Sequence, residues 1–138
     1  MGSLTQFRQR RYLKLFVFAA LLILVTALVA GCGHDKYVKT VREGSFNSYP
    51  GIKIGDAFDQ FFADEEWKSF ESDKGQRIVD FKGRLQYKGK DADFHMQFTL
   101  YKDDSFEVEY AAINDKPLNG LFYGALIEKV MESYDPKK

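Results

Sequence analysis

At 138 residues the chain has room for one domain of ordinary size and not for two. Twenty lysine and arginine side chains balance twenty aspartate and glutamate side chains, so composition gives no basic surface for nucleic acid. One cysteine and two histidines exclude an internal disulfide and a zinc site of the Cys/His kind, while 13 Phe and 8 Tyr supply bulk for a small core.

In chain order, the first feature is a charge-polarised start. Arg8, Arg10, Arg11 and Lys14 precede a run, residues 15–29, in which nearly every side chain is apolar, and no acidic residue occurs before Asp35. About 15 apolar residues suit the h-region of a secretory signal better than a membrane span. The run closes on Leu28-Val29-Ala30-Gly31-Cys32, which resembles the lipobox of bacterial lipoproteins: an aliphatic residue three positions before the cysteine, then two small residues. That resemblance implies cleavage between Gly31 and Cys32, a diacylglyceryl group on the Cys32 thiol, and membrane attachment through this lipid. It also implies outer-membrane placement in a two-membrane organism, because Gly33 stands where a retention aspartate would be; in a single-membrane organism the anchor is the cell membrane. The residues alone leave open an uncleaved anchor helix over residues 13–31. Either way residues 33–138 lie outside the cytoplasm.

Cleavage leaves 107 residues with 16 basic and 20 acidic side chains, a mildly acidic product with no expected affinity for nucleic acid. Residues 32–48 read as the lipidated cysteine and a short tether, with a first strand assigned to 37–42. Residues 49–138 read as a single α+β domain. Ile54, Ala57, Phe58, Phe61 and Phe62 fall at helical spacing, with Asp56 and Asp59 near the positive end of the helix dipole. Trp67 and Phe70 continue the apolar content in what reads as a second short helix or turn, and Asp73-Lys74-Gly75 breaks the chain.

Three segments then alternate with period two. Val79, Phe81, Gly83, Leu85 and Tyr87 share one face, as do Phe94, Met96, Phe98 and Leu100, and Phe106, Val108, Tyr110 and Ala112. A two-residue turn with Gly89 at its first central position pairs Leu85 with Phe94 and Phe81 with Phe98. A last helix is expected from Pro117 to about residue 134, with Leu118, Leu121, Phe122, Ala125, Leu126 and Val130 as its inward stripe. The fold class is therefore α+β: a three-stranded antiparallel meander, four-stranded if 37–42 joins it, with an N-terminal and a C-terminal helix on one face. Ile54-Gly55-Asp56, opening a helix before a strand pair, loosely resembles small envelope lipoproteins of the outer-membrane assembly type and β-lactamase-inhibitor-like folds, a likeness of architecture only.

No catalytic constellation is legible. His95 sits on the wet face of the meander, and Glu107 with Glu109, like Asp91 with Asp93, are the spaced charges that keep a sheet hydrated. Asp103-Asp104 lacks the glycine and further oxygen ligands of a calcium loop. Two surfaces are candidates for a partner: Lys82, Arg84, His95, Gln97, Glu107 and Glu109 on the wet face, and Tyr123, Ile127 and Met131 beside the last helix's stripe. The latter are either exposed or packed under the first helix. The expectation is a non-enzymatic, lipid-anchored protein without metal or cofactor that binds an envelope protein. A small-ligand or cell-wall-fragment binder and a hydrolase remain as alternatives.

Overall fold

The computed structural model describes residues 35–138, which belong to one compact unit. The segment expected as a signal, with Gly31 and Cys32, lies outside the described residues. Helices α1 (Lys36–Glu43) and α2 (Ile54–Phe61) precede strands β1 (Ala63–Glu71), β2 (Arg77–Tyr87), β3 (Lys90–Leu100), β4 (Phe106–Ile113) and β5 (Lys116–Pro117), and helix α3 (Gly120–Glu132) follows. The strands form one antiparallel sheet in chain order. The α+β meander with helices at both ends is thus present, with five strands instead of three or four and, among the described residues, three helices instead of two. No helix among the described residues is long and apolar enough to cross a membrane.

Residues 37–42, expected as a strand, are helical. The Asp35 carboxylate accepts from the backbone N–H groups of Tyr37 and Val38 at 3.0 and 2.9 Å, which satisfies two of the donors a helix start leaves open. Val38 and Val41, one turn apart, are both buried, so core packing overrides the strand preference of a segment with three β-branched residues. Asp35 also accepts the Ser69 hydroxyl at 2.6 Å, tying α1 to β1.

Residues 63–71 form the edge strand β1 where a short helix or turn was expected. Of its side chains only Trp67 reaches deeply toward the core, so its alternation is too faint to read against four exposed acidic residues. Between β2 and β3 the turn is centred on Lys88 and Gly89, both at positive φ (52° and 75°), which makes a type I′ turn. Phe81 consequently faces Met96, and Leu85 faces Ala92. The expected register was off by two residues, an even number, so every side chain keeps its face.

In β4 an extra residue, Glu109, sits opposite the step from Gln97 to Phe98. That bulge reverses the phase, so Ala111 and Ile113 face the core in place of Tyr110 and Ala112. Pro117 belongs to β5, and Asn119 caps α3 by accepting from the Phe122 N–H at 3.0 Å.

All three helices cover one face of the sheet. Phe58, Phe81, Phe94 and Phe98 are fully enclosed, together with Val38, Val41, Ile54, Met96, Val130 and Met131. Phe62 reaches Phe81 and Phe94 because Gly83 leaves room: a Cβ there would lie 2.9 Å from the Cβ of Phe62.

Candidate functional site

The uncovered face of the sheet carries a polar network built in rows. Register places Lys68, Asp80, Gln97 and Tyr110 side by side on β1 to β4, and Lys82 beside His95 and Ala112 in the next row. Asp80 is the hub. It is only 3 % exposed although no helix covers it, because neighbouring side chains close over it. One carboxylate oxygen lies 2.5 Å from His95 Nε2 and accepts from Gln97 Nε2 at 2.8 Å; the other is 3.9 Å from Lys68 Nζ. The ring of Tyr110 meets His95 edge-on at 5.4 Å.

Of the residues singled out from sequence, His95 and Gln97 converge on Asp80. Arg84 pairs with Asp64, and Lys82 and Arg84 line a shallow depression of about 470 Å³ with Asp93, His95 and Asp115. Glu107 and Glu109 lie apart from this cluster: Glu107 accepts the Tyr101 hydroxyl at 3.0 Å, and Glu109 the Thr99 hydroxyl at 3.1 Å. Asp80, Lys68 and Tyr110 were missed. An acid between Val79 and Phe81 in a central strand was the available signal for Asp80; the two-residue register error and the bulge hid its neighbours.

Of the two placements open to the last helix, the structure takes the packed one. Ile127 and Met131 are buried and Tyr123 is half-buried, with its hydroxyl pKa raised by that burial. Of the expected inward stripe, Val130 is buried and Leu118 and Leu126 are half-buried against the core, but Leu121 is 81 % and Phe122 61 % exposed, and Ala125 is exposed beside them. The reason lies in α3 itself, which is apolar on nearly all sides over its first seven residues. Its phase is set by Ile127, Val130 and Met131, which are buried in the core, with Tyr123 and Leu126 packed beside them.

A second charged cluster joins the helices to β1. Arg42 donates to both carboxylate oxygens of Asp59 at 2.9 and 2.6 Å and lies over the Trp67 ring. Glu65 stands beside this pair. Burial, then a hydrogen bond to Asp59 and the charge of that carboxylate, raise its pKa to about 7, against the opposing pull of Arg42. Between the unfolded value near 4.5 and about 7 the folded chain holds a proton that the unfolded chain has released. The contribution of Glu65 is therefore complete below about pH 4.5 and is lost as pH rises through 7. Solvent screening of this partly exposed group limits it to about 1 kcal/mol. Urea midpoints at pH 5 and pH 8 are expected to differ by less in Glu65→Gln than in the parent. Asp35 acts in another window: burial raises its pKa, but the Ser69 hydroxyl, two backbone N–H groups and Arg77 together hold it below the usual carboxylate range. Its contribution is present above about pH 4 and is lost on acidification.

A further depression of about 730 Å³ lies where α1 begins, between the β1–β2 and β3–β4 loops. Arg77 stacks over Tyr37 at 4.2 Å there and reaches Glu71 at 3.5 Å. Among the described residues no group of three or more His, Cys, Asp and Glu is arranged to hold a metal ion. No family model matches the chain, and neither the curated proteins nor the solved structures contain a match to it.

Proposed function

We propose that this chain is a lipid-anchored, extracytoplasmic binding module of the bacterial cell envelope. It is held by a lipid on Cys32 and docks a protein partner without doing chemistry on it. The observation that carries the docking is the apolar pair Leu121 and Phe122, turned to solvent on a helix whose other side is fully used by the core. A large exposed apolar pair on a folded unit is the usual mark of a contact surface. Three peptide links separate Cys32 from Asp35, about 10 Å of chain, so such an anchor holds the folded unit close to its membrane.

The test is affinity purification of the tagged full-length chain from gently solubilised native membranes, beside Leu121→Ser/Phe122→Ser and Cys32→Ala. The expected outcome is an envelope protein recovered with the parent and lost with the double variant, whose unfolding midpoint stays unchanged. Cys32→Ala is expected to accumulate as unprocessed precursor without lipid. Normal processing of that variant would end the anchor reading, and a partner indifferent to the double variant would end the docking role of α3. The depression between Tyr37, Arg77 and Tyr101 supports a second reading, capture of a small ligand or cell-wall fragment. Such a ligand would bind the parent and the α3 variant equally.

A further inference from the structure

The two edges of the sheet are finished differently. At the β1 edge the chain is bulged between Ala63 and Glu66, Asp64 takes a left-handed φ of 49°, and acidic side chains have cations: Asp64 has Arg84, and Glu71 has Arg77. Charge and a bulge are the ordinary means of blunting an edge. β4 has a bulge of its own at Glu109, so the difference between the edges lies in strand cover and in the pairing of the charges. The β4 edge is closed only at its far end. There β5 pairs with Ala112 and Ile113, and the Leu118 N–H donates to the Ala111 carbonyl at 2.9 Å. Along residues 106–110 no described strand pairs with the outer side of β4, which leaves up to about 17 Å of backbone, bent at the Glu109 bulge, with outward N–H and C=O groups.

The side chains of this stretch define what fits beside it. Phe106 and Val108 face the core side and are half-buried, while Glu107 and Glu109 stand on the open face. Both glutamates accept a hydroxyl, from Tyr101 and Thr99, but neither has a cationic partner among the described residues. A second copy of this chain is a poor occupant. Antiparallel pairing of β4 with itself about Val108 would set Glu107 opposite Glu109 twice, and like charges directly opposite destabilise a ladder. We propose that residues 106–110 are a strand-addition edge that receives an extended segment of another protein bearing lysine or arginine at alternate positions. The main chain of β4 supplies the hydrogen bonds, Glu107 and Glu109 select the cations, and Phe106 and Val108 favour apolar residues between them. The inference deepens the docking reading above and rests on it for the identity of the partner as a protein.

The probe is an acetylated nine-residue peptide alternating lysine with valine, compared with its glutamate–valine counterpart. Each is added to the purified full-length protein in detergent, and amide hydrogen exchange and affinity are measured. The lysine peptide is expected to slow exchange in residues 106–110, to leave residues 63–71 unchanged, and to bind about tenfold more tightly than the glutamate peptide. Glu107→Lys/Glu109→Lys is expected to reverse that preference. Glu107→Gln/Glu109→Gln is expected to abolish it, and serves if the reversed variant fails to fold. Three results would overturn the proposal: no protection in β4, equal affinity for the two peptides, or β4 amides already protected in a dimer that dilution dissolves. A co-purifying partner that survives the glutamate reversal would remove the edge and leave the docking reading standing. Peptide capture with no co-purifying partner would do the opposite.

Discussion

Replacing Phe81 with alanine is expected to remove about 3–5 kcal/mol of stability, a large part of the roughly 5–15 kcal/mol that holds a domain together. Phe81 has no solvent exposure and sits at the centre of an aromatic cluster, with ring centroids 4.8 Å from Phe58, 5.1 Å from Phe62, 4.6 Å from Trp67 and 6.2 Å from Phe94. Its neighbours belong to α2, β1, β3 and the short α2–β1 junction, so no single element can move in to fill the space. Collapse is blocked on one side by Gly83, whose missing Cβ already brings Phe62 into close contact with β2. A cavity that cannot close costs the lost transfer energy and the void together. Urea unfolding followed by the fluorescence of Trp67, the only tryptophan, measures the loss beside the cluster itself. Phe122→Ala is the control: at 61 % exposure it is expected to change stability by about 0.5 kcal/mol or less. A loss below about 1 kcal/mol for Phe81→Ala would show that the cluster is not the centre of the core.

Asp80→Ala is expected to cost about 2–3 kcal/mol at neutral pH, because it strands the donors that converge on a carboxylate already taken out of water. His95 at 2.5 Å and Gln97 at 2.8 Å lose their acceptor together, and Lys68 loses its counter-charge. Removing His95 as well is expected to cost less than the sum of the single changes, with a coupling of about 1 kcal/mol or more in a double-mutant cycle. The pair Arg84 and Asp64 gives the contrast. With side chains 51 % and 65 % exposed, it is expected to contribute under about 1 kcal/mol. Additive losses for Asp80 and His95 would mean that the network on the open face is decoration and not a unit.

The parts of this fold that sequence made legible are those where one physical signal dominates. In β2 and β3, of 11 residues each, a buried face alternates with an open one, the first half of β4 continues the pattern, and it survives even a two-residue error in register. Where two signals compete, it fails. Val38, Thr40 and Val41 favour strand by composition, and only the cap from Asp35 and the shared burial of the valines decide for helix. β1 offers the core a single large side chain, Trp67. The bulge at Glu109 leaves no mark in residue type, since a glutamate between Val108 and Tyr110 looks like ordinary alternation. In α3 too many apolar residues are present for any one phase to stand out, so Leu121 and Phe122 were assigned inward and Ile127 and Met131 to the margin. The candidate site was visible as a face and not as a network. His95, Gln97, Lys82 and Arg84 were placed on the correct side of the sheet, but Asp80, which organises the first two, becomes evident only when its strand neighbours are known.

Strand order has a kinetic consequence. Because β1 to β5 lie side by side as they follow in the chain, each pairing closes a short loop, and the sheet assembles from contacts local in sequence. The helices do not share this ease. Asp35 meets Ser69 across 34 residues, and Gln60 reaches both the carbonyl and the N–H of Asp135 across 75. A chain emerging from its N-terminus can therefore form the meander early, while the outer end of α2 is fastened only after Asp135 has appeared. Until α3 follows the strands and brings Ile127, Val130 and Met131 to the core, part of the apolar face of the sheet lies open.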